Sequence, residues 1–160
     1  MGIDAPDVLS NDIDLKSATI LKATTFASAL ALADGKGGFA LRALPAEAQL
    51  APINAAVAAD VDGDGHQDVV VAGNFHGVQP IEGRYDASQG LVLLGDGAGA
   101  LRSVEMTMSG MNVQGQVRHM TWLRGAKGDR LLLVARNNDA LQVLRLNTAR
   151  AAGIAKTISR

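Results

Sequence analysis

The chain contains no cysteine, which excludes disulfides, thiolate-zinc sites and thiol catalysis together. Aromatic residues make up only 3% of its 160 residues, so the core must be aliphatic. Neither sign of charge prevails, because 15 Lys+Arg stand against 16 Asp+Glu for a net charge of −1. This balance argues against nucleic acid or an anionic membrane surface as the principal partner. No run approaches the ~18–20 consecutive apolar residues that cross a bilayer, so membrane insertion is not expected. The opening Met1-Gly2-Ile3-Asp4 lacks the basic region and following apolar run of a signal peptide.

Hydrophobic residues nevertheless reach 48%, enough to exclude a disordered chain. The length suits one domain. The 18 glycines exceed the roughly 11 expected at an average share near 7%, and they imply many tight turns. Residues 1–25 read as a helical or linker segment: Ser10 is placed to cap a helix from Asn11 to about Lys22, with Asp12 and Asp14 in its first turn. From residue 26 to residue 147 the texture changes to short apolar runs broken by turn-formers. These are Phe26–Leu32, Phe39–Leu44, Ala55–Ala59, Asp68–Ala72, Leu91–Leu94, Leu101–Met106, Val117–Leu123, Leu131–Ala135 and Leu141–Leu146. Runs of this length and spacing predict antiparallel strands and an all-β body.

The turns repeat. Ala33-Asp34-Gly35-Lys36-Gly37-Gly38-Phe39 and Gly95-Asp96-Gly97-Ala98-Gly99-Ala100-Leu101 share one skeleton, whose glycines supply the positive φ of tight hairpins. Asn137-Asn138-Asp139-Ala140 predicts a third hairpin, and Val117 to Leu146 reads as a shortened copy of Ala55 to Leu94. Repetition at ~40–60 residues in an all-β chain predicts a partial β-propeller of about two to three antiparallel blades. Residues 148–160 read as a flexible basic tail.

Asp60-Val61-Asp62-Gly63-Asp64-Gly65-His66-Gln67-Asp68 carries the most chemistry. Carboxylates so close repel one another unless a cation sits among them. A hard divalent ion answers this: Asp60, Asp62, Asp64 and Asp68 supply carboxylate oxygens, His66 supplies its carbonyl, and Gly65 permits the sharp turn. An EF-hand is excluded, because its bidentate Glu would fall at Val71 and the flanks are not helical. Calcium is therefore the expected cofactor, and the alternative is a solvated acidic turn without metal.

That loop, followed by Val69-Val70-Val71, resembles the FG-GAP/VCBS repeat family, the calcium-bearing blades of integrin-α-type β-propellers. Asp96-Gly97-Ala98-Gly99 after Leu91–Leu94, and Asp34 to Phe39, resemble the hairpins of the same repeats. With Gly83-Arg84-Tyr85-Asp86-Ala87-Ser88 and Ala135-Arg136-Asn137-Asn138-Asp139, the likeness extends to the C-terminal part of large bacterial VCBS-repeat proteins and covers roughly residues 15–147. It departs from the pattern in having one complete acidic loop and Leu101 in place of the usual Phe. The resemblance implies a non-catalytic, calcium-stabilised segment acting in extracellular or periplasmic recognition or scaffolding, with a protein or glycan partner.

The competing reading is a metal-assisted hydrolase using the Asp60–Asp68 cluster, which needs an open coordination position and a base that the sequence does not supply. His66, His76 and His119 show no i, i+4 pair and predict no histidine metal site. The long Gly73–Gly90 loop is expected to be held by an Arg84–Asp86 network, with a partner surface as the alternative. Trp122 and the methionines 106, 108 and 111 read as packing residues. A closed propeller needs 4–8 blades. The chain is thus expected to belong to a longer protein or to associate through open strand edges, most simply as a homodimer.

Overall fold

The computed structural model describes residue 19, residues 21–79, residue 81 and residues 83–147. The expected helix over Asn11 to Lys22 lies outside them apart from Thr19, Leu21 and Lys22, which are in no helix or strand. The expected tail, residues 148–160, lies outside them entirely. Among the described residues helix is confined to a 3-10 turn, Ala46–Gln49, and one short α turn, α1, Met106–Ser109.

The rest is β structure in three antiparallel sheets. Strands β1 (Ala29–Ala33) and β2 (Phe39–Ala43) form a hairpin. Strands β3 (Ile53–Ala59), β4 (Asp68–Gly73), β5 (Leu91–Gly95) and β6 (Leu101–Val104) form a four-stranded meander. Strands β7 (Val117–Arg124), β8 (Arg130–Arg136) and β9 (Gln142–Arg145) form a three-stranded one. Each strand overlaps one of the expected apolar runs. The differences lie at the ends: β6 stops at Val104 because the chain coils into α1, and β3 starts at Ile53 because a bulge at Asn54 lets pairing continue to Gly73.

One aliphatic core lies between the second and third sheets. Val70, Ala72, Leu94 and Val104 from one side meet Val117, Met120, Leu132 and Val134 from the other, with Val61, Met111 and Val113 closing the ends. Alternation along the strands produces this, since every second residue faces inward. Each aliphatic side chain fully removed from water contributes about 2 kcal/mol, so a core almost without aromatics needs many members. Trp122, Leu144 and Leu146 pack on it half-buried. Of the three methionines, Met111 is buried, Met108 is partly so and Met106 is exposed.

The first hairpin contributes nothing to that core. Phe39 and Leu41 lie 72% and 64% exposed. It touches the second sheet through Leu32, whose side chain lies over Gly99, and through Arg42, whose Nη1 donates to the Ala98 carbonyl at 3.2 Å. The two Asp-Gly hairpins are built alike. Asp34 Oδ1 accepts the N–H groups of Lys36 and Gly38 at 2.7 and 2.9 Å, and Asp96 Oδ1 accepts those of Ala98 and Ala100 at 2.8 and 2.9 Å. These charge-assisted bonds hold both carboxyls below the usual carboxylate range.

Candidate metal centre

The acidic loop joins β3 to β4, whose pairing runs up to Ala59 opposite Asp68. It is therefore clamped at its mouth by the sheet. Within it the carboxylates accept main-chain N–H groups. Asp60 takes those of Gly63 at 2.6 Å and Gly65 at 3.1 Å, Asp62 takes that of Asp64 at 3.1 Å, and Asp64 takes that of His66 at 2.7 Å. Short loops rich in Asp and Gly coil in this way because the side chain replaces the missing ladder.

Asp68 is the deepest member, with no exposed surface. Its Oδ2 accepts the N–H of Val61 at 2.8 Å and its Oδ1 that of Gly95 at 2.9 Å. It thus fastens the acidic loop to the end of β5. Gly95 is required there: a β-carbon would collide with the carbonyl of Gln67.

Asp60, Asp62 and Asp68 each bring a carboxylate oxygen within 4.8 Å of the other two. Asp64 lies outside this trio. His66 enters the loop through its main-chain N–H, and its ring lies against Gly97. Neither His76 nor His119 belongs to the group. Among the described residues no Lys, Arg or His forms an ion pair with these four aspartates. Asp62 is 7% exposed. Burial pushes its carboxyl up; the Asp64 N–H opposes this, and the charges of Asp68, Asp64 and Asp60 add to it. An all-oxygen set of converging, unneutralised carboxylates fits a hard divalent cation such as calcium, which would supply charge compensation and cross-link the loop.

Two supports of the site come from far along the chain. Arg130, at the start of β8, donates from Nη1 to the Asp60 carbonyl at 2.7 Å, and its guanidinium lies 5.9 Å from the centroid of the Trp122 ring. The third sheet therefore braces the acidic loop of the second. The long loop after β4 is held differently from the expected network: among the described residues neither Arg84 nor Asp86 makes a hydrogen bond or ion pair. Asn74 does the holding instead. Buried at φ 80°, it donates to the carbonyls of Ser88 at 2.7 Å and Gly115 at 3.1 Å and accepts the Ser88 N–H at 3.0 Å. Phe75 and Tyr85 add an antiparallel bridge with bonds of 2.8 and 2.9 Å. The only local hint of this was an Asn directly after a strand-ending Gly, a pair that tolerates positive φ.

No curated protein and no solved structure matches the chain. Residues 53–93 match the model of the FG-GAP repeat, a span that begins with β3, encloses all four loop aspartates and ends within β5. The segment from β3 through the acidic loop to β5 is an FG-GAP repeat.

Proposed function

We propose that the chain is a non-catalytic recognition or scaffolding module of β-propeller type, stiffened by one calcium ion. Asp60, Asp62, Asp64, Asp68 and the carbonyl of His66 hold the ion, and the module serves a protein or glycan partner outside the cytoplasm, in the periplasm or at the cell surface. The observation that carries this reading is the convergence of Asp60, Asp62 and Asp68 within 4.8 Å inside a matched FG-GAP repeat. The ion's role is mechanical: it offsets the repulsion among the carboxylates and ties the loop to the buried Asp68. The family resemblance supplies the extracytoplasmic location.

Calorimetric titration of the chelator-treated chain with calcium tests the reading, together with thermal melts. One site is expected, with stabilisation of about 2.7 kcal/mol when free calcium stands 100-fold above Kd. Absence of heat, with identical melting in calcium and in chelator, would overturn it.

A further inference from the structure

The second and third sheets are built to one plan, but they differ by a strand. In the second, β6 covers the outer edge of β5, and its Val104 is buried against the core beside Val92. In the third, β9 stands where β5 stands, and among the described residues nothing pairs with its outer edge. The polarity of that edge follows from the ladder. Leu146 N–H bonds to the Arg130 carbonyl at 2.9 Å, and the β8–β9 register runs without a bulge. Alternation in an antiparallel pair then turns the main-chain groups of Leu144 and Gln142 toward β8, and leaves the N–H and C=O of Val143 and Arg145 facing outward.

Beside this edge the core has a gap. A cavity of about 260 Å³ opens between the sheets, walled by Val92, Leu94, Val104, Leu132, Leu144 and Leu146. Val104, the inward residue of β6, is one of its walls; the third sheet offers no equivalent. Leu141 and Val143 at the open edge lie 57% and 52% exposed.

The geometry points to the outer edge of β9 as an acceptor for one extended strand of another polypeptide, which pairs with Val143 and Arg145 and sends an aliphatic side chain into the cavity. Main-chain bonds give such a contact its affinity and the side-chain pocket gives its selectivity. The molecule shows the chemistry of the occupant in β6 itself: Leu101-Arg102-Ser103-Val104, a short strand with one buried aliphatic residue among polar neighbours. This inference narrows the recognition role proposed above to an extended polypeptide. It is independent of calcium, so loss of metal binding would leave it standing.

The probe is a synthetic peptide of residues 99–106, Gly-Ala-Leu-Arg-Ser-Val-Glu-Met, titrated into the full-length chain and followed by amide NMR. Saturable shifts are expected at Gln142 to Arg145 and along the cavity wall. The same peptide carrying Val104→Ser should bind about tenfold more weakly or worse, and so should the wild-type peptide added to the Val143→Pro chain, which loses only an outward N–H. The two peptides on the unaltered chain decide the matter even if the proline variant misfolds. Equal binding of both peptides, or of neither, would overturn the inference. So would prior exchange protection of the Val143 and Arg145 amides in the free chain, which in a monomer would mean an occupant from within the chain and in a dimer a second copy.

Discussion

Asp68 and Gly95, 27 positions apart, are joined by a 2.9 Å hydrogen bond from the Gly95 N–H to Oδ1 of a carboxylate with no exposed surface. The other oxygen of that carboxylate takes the Val61 N–H. The same residue that begins β4 therefore sets the distance between the acidic loop and the β5–β6 hairpin, whether or not an ion is bound.

Replacing Asp68 by Asn keeps one acceptor but turns an amide toward the other N–H. A buried donor is then left without a partner, so Asp68→Asn should destabilise the metal-free chain by about 2 kcal/mol. Urea denaturation in chelator measures this. Asp64→Asn, in an exposed position, should cost far less.

Asp62 should behave in the opposite sense. It is buried among like charges, and its one hydrogen bond inside the loop, from the Asp64 N–H, can be accepted equally by an amide oxygen. Asp62→Asn should therefore leave the metal-free chain as stable or more stable, while removing most of the gain from calcium. Paired melts with and without the ion would show the two effects crossing.

The three side-chain bonds of Asn74 predict its loss. Asn74→Gly retains the positive φ and removes the bonds, so it should lower stability by about 2–3 kcal/mol and open the chain between Phe75 and Ser88 to limited proteolysis. Asn74→Ala should be worse, since it adds backbone strain at φ 80°. Arg84→Ala and Asp86→Ala should leave cleavage unchanged.

The two Asp-Gly hairpins set an acid limit. For Asp34 the N–H groups of Lys36 and then Gly38 lower the folded-state pKa, and for Asp96 those of Ala100 and then Ala98 do so. A lowered folded pKa means stabilisation that is complete above the unfolded value near 4 and lost as pH falls through the folded one. The amides of Ala98 and Ala100 should accordingly shift and exchange faster below about pH 4. In Asp96→Asn that pH dependence should vanish.

What was legible in the sequence was whatever is contiguous in it. Nine aliphatic runs bounded by Gly, Asn and Asp gave the strands, because a strand of this kind is decided by its own residues and their immediate turns. The acidic loop was legible for the same reason, its four aspartates falling within nine positions. Contacts that close the structure over distance were not: Arg130 reaches Asp60 across 70 positions and Asn74 reaches Gly115 across 41. Arg84 and Asp86 seemed the natural pair to hold their loop because they are close in sequence with opposite charge, but an exposed pair gains little over water. A buried amide with three partners gains more. The end of β6 was illegible because Leu101 to Met106 contains no breaker; the turn of α1 takes over only in three dimensions.

Trp122 is the single tryptophan of the chain, and its position has a practical side. Its ring is half-buried on the seam between two sheets and lies under the guanidinium of Arg130, which holds the Asp60 carbonyl. It also forms part of the cavity wall beside β9. Its fluorescence is thus an intrinsic optical gauge of that seam: movement of the acidic loop reaches the indole through one side chain, and filling of the cavity reaches it by direct contact. Arg130→Lys would disconnect the first input and spare the second, so that one emission spectrum could be assigned to two separate events without any added label.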